Sequence, residues 1–375
     1  MPLVYERGAR PHTPFRIGQL GLGGISTTHR AGYRMVGLPV VAGYDPDDAA
    51  RDQLTKECPD STAHHSLDDF LADESVELVD LTVPHVFEVR APILERLAGA
   101  GKPVLIQKPL SMTYDEARRM ADIVKSARLP AMVNQSMCFA PSFLRLRSAL
   151  IDQRIVGDPL FCHLVTQSKF DTDRHAWYGR DPRWWTVALT VHHLGMLHLL
   201  FGPPERVYAL IGRDPNQPGV LGDGYGHLSL TYRTGMQAIL VSTGAYYGTR
   251  CIPHGSESMW VQGSQGIVDW VLDGDMVVSA RTAFLSRDIE RVETTPPPDD
   301  GWFPAGFGLA MLHFQNALAA GAAPLCSVAD NLYVMAVIEA AYLSAAEGRA
   351  VTVEEIMGDR WDPDYGPGWR HGHRP

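Results

Sequence analysis

Cysteine is scarce in this chain of 375 residues: Cys58, Cys138, Cys162, Cys251 and Cys326 are odd in number, far apart and never arranged as C-x-x-C. That spacing argues against a disulfide framework or a thiolate zinc site and leaves the thiols as reduced packing residues. Runs of Lys and Arg are missing too, and the formal net charge is -10, so no nucleic-acid surface is expected. No uninterrupted apolar run approaches the roughly 20 residues that cross a bilayer. Residues 1–14 hold no apolar core of a signal sequence, so the expectation is a cytoplasmic protein without a membrane partner. Internal repeats are also absent. A small-molecule partner fits these exclusions best.

What is present is ample apolar material, 45% of the residues, in a chain longer than single cores usually reach. Two domains are therefore expected: 1–140, then 141–358, with a Gly-, Pro-, His- and Arg-rich tail over 359–375. In the first, short apolar runs (15–20, 40–44, 76–83, 104–107 and 131–134) alternate with helical patterns, one opening at Ser26, one capped by Ser66, one over 86–98 and one capped by Thr113. That alternation predicts an α/β fold with a doubly wound parallel sheet. After Pro141 the texture changes. A helical stretch over 143–153 precedes segments that alternate as antiparallel strands do, with hairpins at 227–243 and 259–271 and a long helix from Val328 to Glu347 between Ser327 and Gly348. Such a sheet leaves one face for a subunit contact, which predicts a homodimer or homotetramer.

The first strand runs into Gly21-Leu22-Gly23-Gly24-Ile25-Ser26 and then a helix. Gly21 suits the tight turn, Gly23 lets backbone N–H groups approach a pyrophosphate, and Ser26, where a third glycine is lacking, is small enough for close packing. Asp45 follows at the end of the second strand, where a carboxylate accepts hydrogen bonds from ribose hydroxyls and repels a 2′-phosphate, favouring NAD over NADP. Its alternative role is to cap the next helix. Ligands of open α/β sheets sit beyond the carboxyl ends of the strands. This singles out Thr82, Pro84 and His85, then Gln107 and Lys108, then Asn134 and Gln135.

At these residues the chain resembles the glucose-fructose oxidoreductase, inositol dehydrogenase and rhizopine-catabolism family, Gfo/Idh/MocA. The glycine turn, the 102–110 stretch Lys-Pro-Val-Leu-Ile-Gln-Lys-Pro-Leu, Ile155-Val156-Gly157-Asp158-Pro159, and His192-His193-Leu194 through Gly202-Pro203 follow its motifs in order. The resemblance implies a Rossmann domain, a second α+β domain with a large open, mainly antiparallel sheet, and NAD-dependent hydride exchange with a sugar, cyclitol or related polyol. It maps the family lysine onto Lys108 and the family histidine onto His192. Gln107 replaces a glutamate, as in the branch containing apiose dehydrogenases. Two family acids are missing, with Ala188 four residues before the histidine and Gly195 three after it.

Oxidising a secondary alcohol requires a hydride acceptor and a base for the hydroxyl proton. His192 is the candidate base, and Lys108 the cation that aligns the hydroxyl and stabilises a developing alkoxide. His193, about 100° around the helix from His192, binds substrate or packs. The segment 169–185 is rich in aromatic and charged residues. With Arg174, His175 and Trp184 it reads as a substrate wall or, equally, a subunit interface. No metal site is expected, since neither histidine has another at i+4. Alternative functions are an NAD-dependent glycosidase or lyase acting by transient oxidation, and a non-catalytic NAD sensor.

Overall fold

The computed structural model describes residues 13–169, 180–248, 256–280 and 291–366. Arg174 and His175, with most of the 169–185 segment, lie outside the described residues, as does the tail beyond 366. The chain divides into two compact units. Among the described residues, one comprises 13–140 together with Asp300–Leu332; the other comprises Pro141–Asp299 and 333–366.

The first unit holds a six-stranded sheet of order β3-β2-β1-β4-β5-β6, built from β1 (Ile17–Leu20), β2 (Val40–Tyr44), β3 (Thr62–His64), β4 (Leu78–Leu81), β5 (Val104–Gln107) and β6 (Ala131–Asn134). Every pairing is parallel. All four residues of β1, β4, β5 and β6 are buried, as a sheet covered on both faces requires. The order reverses between β1 and β4, the switch point where ligands of such sheets bind. The helices are α1 (Gly24–Val36), α2 (Asp48–Glu57), α3 (Leu67–Ala72), α4 (Phe87–Ala100) and α5 (Tyr114–Ser126). Ser66 caps α3 through the Asp69 N–H, and Thr113 forms a reciprocal capping box with Glu116 on α5. One expectation needs correction: helix α1 opens at Gly24 rather than Ser26. Helix α2 is capped by Asp47, so the alternative role of Asp45 as its cap does not apply.

The sequence predicts a second domain over 141–358; within that span α8 (Trp302–Ala319) packs on α1 and groups with the first unit. The contact is made at glycines: a Cβ on Gly32 would stand 2.6 Å from the Gly308 nitrogen, and one on Gly308 would stand 2.3 Å from the Gly32 carbonyl oxygen. Phe15 closes the unit through backbone hydrogen bonds in both directions with the Gln315 amide.

The second unit opens with α6 (Pro141–Arg147), which continues as a turn of π-helix over Ser148–Asp152. Its nine-stranded sheet consists of β7 (Pro159–Gln167), β8 (Arg206–Gly212), β9 (Tyr225–Thr231), β10 (Gln237–Thr243), β11 (Ser256–Gly263), β12 (Gly266–Val271), β13 (Met276–Ala280), β14 (Arg291–Thr295) and β15 (Val351–Thr352). The order is β14-β13-β12-β11-β7-β10-β9-β8-β15, antiparallel throughout except for the parallel pair β7 and β10. Both expected hairpins are present, as β9–β10 and β11–β12. Alternate residues of the strands point inward, among them Cys162, Leu164, Leu228, Leu240, Met259 and Val261. The helix α7 (Val191–Phe201) is buried along its whole length. The helix α9 (Val328–Glu347) starts in the first unit and continues in the second, and α10 (Val353–Met357) follows β15. By length and composition α9 suffices to cross a bilayer, but 67% of its apolar window is buried inside the fold, the mark of a core helix.

Candidate functional site

Gly21 has φ +86°, and a Cβ there would stand 2.7 Å from the Val83 nitrogen, so the turn between β1 and α1 admits no side chain at this point. The Thr82 hydroxyl donates to the Gly21 carbonyl at 2.5 Å and holds the end of β4 against the turn. Gly23 and Gly24 are the opposite case. Both are exposed, and a Cβ on either meets nothing within 4 Å. Gly23 precedes α1 with no side-chain cap, which leaves the positive end of the helix open to an anion. Ile25 is half-buried beside them. Across the turn the Asp45 carboxylate accepts from the Leu22 N–H at 2.7 Å and the Asp47 N–H at 2.9 Å. This cradle, open over two glycines and bounded by a fixed carboxylate, fits a dinucleotide whose pyrophosphate lies at the helix N-terminus.

Ser26 does not present its hydroxyl to this opening. It is fully buried, donates to the Gly23 carbonyl at 2.6 Å and accepts from Arg30 at 3.0 Å. Arg30 also donates to Gln19 at 2.6 Å and to Glu57 at 2.6 Å, and Gln19 donates to Asp80 at 2.9 Å. His29 pairs with Asp80 at 3.0 Å, while its other ring nitrogen meets the Asn134 amide at 3.2 Å. Asn134, expected at the cofactor, is fully buried in this network beneath the sheet end. Gln135 is likewise buried and donates to Asn331 at 2.9 Å.

The strand-end loops after β4 and β5 are joined by a residue the sequence reading passed over. Arg90, on α4, is buried and donates to three carbonyl oxygens: Pro109 at 2.5 Å, Leu110 at 3.2 Å and Val83 at 3.1 Å. It thereby fixes the segments carrying Pro84, which is exposed, and His85 and Lys108, which are half-buried. Burial, with the Arg90 charge adding to it, lowers the Lys108 ammonium to about 8. Burial again, then Arg90 and Lys108, lowers His85 to about 3, so His85 is neutral at physiological pH. Gln107, next to Lys108, is buried with its carbonyl oxygen lacking a hydrogen-bond partner among the described residues.

In the second unit His192 and His193 lie at the start of α7, 5% and 3% exposed. A turn of π-helix over Thr186–Thr190 leads into them, and Asp223 anchors it by accepting from the Trp184 and Thr186 N–H groups, the Thr186 hydroxyl and the Tyr342 hydroxyl. Trp184 is 2% exposed and packs with Trp185, Ala188 and Val220. A core position of this kind is not an open substrate wall. No carboxylate stands at 188 or 195, but one approaches from the sheet: Glu257 of β11, buried, has Oε1 3.6 Å from the His193 Nε2. Among the described residues no group of three or more His, Cys, Asp or Glu is placed to hold a metal ion.

Two family models match the chain: the oxidoreductase family NAD-binding Rossmann fold over residues 15–135, and the oxidoreductase family C-terminal alpha/beta domain over residues 148–353. D-apiose dehydrogenase of Paraburkholderia graminis is 26% identical over 354 residues, 91% of this chain and 90% of that protein. Inositol 2-dehydrogenase of Rhizobium meliloti is 27% identical over 357 residues, 90% and 99% of the two chains. Among solved structures, an oxidoreductase from Agrobacterium radiobacter in complex with NAD+, L-tartaric acid and magnesium has a TM-score of 0.81 at 19% identity, covering 91% of this chain and 99% of its own. Levoglucosan dehydrogenase in complex with NADH and levoglucosan has a TM-score of 0.79 at 18% identity, covering 91% and 100%. At those identities the structural likenesses establish the fold. With both family models in place, the chain belongs to the Gfo/Idh/MocA oxidoreductase family, and its cofactor is NAD.

Proposed function

We propose that the protein oxidises a secondary alcohol of a sugar, cyclitol or sugar derivative, and reduces the corresponding ketone in reverse. The observation that carries this reading is the Lys108 site: a half-buried amine lowered to about 8, held by Arg90 beside the strand end that adjoins the glycine turn. Relatives named for D-apiose and inositol support the polyol class.

The cofactor-binding residues in this reading are Gly21, Gly23, Gly24, Ile25 and Asp45, with Thr82, Pro84, His85 and Gln107 at the neighbouring strand ends. Bound NAD supplies the acceptor for the hydride that leaves the carbinol carbon. His192 takes the hydroxyl proton as the carbon–oxygen double bond forms. Lys108, as ammonium, stabilises negative charge that develops on a substrate oxygen. His193 binds a substrate hydroxyl. The outer face of the second unit's sheet, with Tyr208, Leu210, Tyr225, Val271 and Val292 exposed, is assigned to contact between copies of the chain.

The test is incubation with NAD and a panel of sugars, cyclitols and glycosides, following reduced nicotinamide and bond cleavage together. Net NADH formation is expected, with kcat/KM falling about 100- to 10,000-fold in Lys108→Ala and in His192→Ala while NADH binding persists. Cleavage without net NADH, or wild-type rates in both variants, would sink the reading.

A further inference from the structure

Buried polar atoms in folded proteins are almost always hydrogen-bonded, and leaving one unmade costs on the order of 1–3 kcal/mol. The start of α7 departs from this rule in a concentrated way. His193 is 3% exposed and Glu257 2% exposed, yet both ring nitrogens of His193 and the Oε2 of Glu257 lack hydrogen-bond partners among the described residues. The two side chains nevertheless face each other, with Nε2 and Oε1 3.6 Å apart, within ion-pair reach and too long for a hydrogen bond.

The carboxylate is placed by the sheet. Glu257 and Thr166 are register partners on β11 and β7, and the Thr166 hydroxyl donates to Oε1 at 3.3 Å. The next strand continues the row with Ser242, partner of Thr166, whose hydroxyl accepts from the Trp185 indole at 2.8 Å and pairs with Thr190 at 2.8 Å. A polar row therefore runs across three strands of an otherwise apolar inner face, beside the residues that lead into α7. Only its Glu257 end has orphaned atoms.

We propose that Glu257 is the positioning residue of His193. Its carboxylate, 3.6 Å from Nε2, favours the proton on that nitrogen by electrostatic attraction, fixes the ring, and leaves the Nδ1 lone pair to accept a hydrogen bond from a substrate hydroxyl beside the reacting carbon. The pair provides, from a strand, the carboxylate that the helix lacks at Ala188 and Gly195. A carboxylate behind an imidazole fixes the tautomer and raises the basicity of the far nitrogen; behind metal-bound imidazoles, where the effect is known, removing such a partner lowers metal affinity or activity about 10- to 100-fold. The hydroxyl-binding role rests on the dehydrogenase reading above, whereas the pairing does not.

Two measurements separate them. In protein labelled with 15N-histidine, with the His193 signals assigned by their loss in His193→Gln, the ring shifts should show a protonated Nε2 and an unprotonated Nδ1. Glu257→Leu should abolish that preference, and Glu257→Gln, which keeps an acceptor oxygen, should retain it in part. In steady-state assays Glu257→Leu should lower kcat/KM for the polyol about 10- to 100-fold, mainly through KM, with KM for NAD within twofold of wild type. An Nδ1–H tautomer in the wild type, or shifts and KM unchanged in Glu257→Leu, overturns the proposal. A Glu257-dependent Nε2–H signature in a protein that oxidises no polyol supports the pairing and overturns the dehydrogenase reading instead.

Discussion

Lys108 and Arg90 are two cations brought together in a poorly solvated corner, and only one of them can give up its proton near neutrality. Burial lowers Arg90 to about 9 and Lys108 to about 8, and Arg90 in turn adds to the shift on Lys108. Both charged forms are disfavoured, so the lysine titrates within the working range while the arginine holds three carbonyls. If Lys108 acts as an ammonium, kcat/KM falls as pH rises through about 8. Removing the neighbouring charge raises the lysine, so Arg90→Gln should move that alkaline limb to higher pH and lower the rate below it. An alkaline limb at the same pH in both proteins counts against coupling of the two groups. Lys108 was legible from its motif, since it ends a strand after a recognisable apolar run. Arg90 was not: it looks like any surface arginine of a helix, and only the return of two loops onto it reveals three buried acceptors. Glu257 escaped for the same reason, because the alternation of β11 gives its face but not the histidine opposite.

At the level of elements, the capped helices and alternating strands read true because their signals are local. Ser66, Thr113 and Ser327 each accept the N–H three residues on, within one turn of the residues that announced them. The helix α8 had no such announcement. It is apolar nearly all round, with Gly306 and Gly308 where a helix former would be expected, and its first turn contains a proline. Its identity depends on α1, more than 250 residues away, through the Gly32–Gly308 contact. Gly308→Ala should therefore destabilise by about 1–3 kcal/mol, read as a fall of several degrees in Tm, because the obstructing atoms are backbone. Gly99, in α4, is the control: a Cβ there meets nothing within 4 Å, and Gly99→Ala should stabilise by about 0.5–1 kcal/mol. Equal shifts in the two variants would contradict the crossing.

For the molecule as a whole, the class of fold and the nature of the two sheets were legible, because parallel strands buried on both faces and antiparallel strands buried on one leave different patterns. The division into units was not. Chain continuity suggested one boundary near 140, whereas contacts return Asp300–Leu332 to the first unit. On the face of the second sheet turned away from α7, Tyr208 is 40% and Leu210 56% exposed on β8, the apolar residues assigned above to contact between copies. Sedimentation equilibrium should give two or four times 41.3 kDa, reduced by Tyr208→Lys with Leu210→Lys. A wild-type monomer at micromolar concentration would refute the assigned face.

The return of α8 to α1 also sets a timetable. As the chain leaves the ribosome, β1 to β6 and their helices emerge with the Gly32 face of α1 still bare, and it stays bare until Trp302–Ala319 has been made. At about 5–20 residues per second that is an interval of tens of seconds. During it, the nucleotide-binding sheet is complete in strands but lacks the helix that covers α1, so a nascent or truncated chain ending before Asp300 is the form most dependent on chaperones.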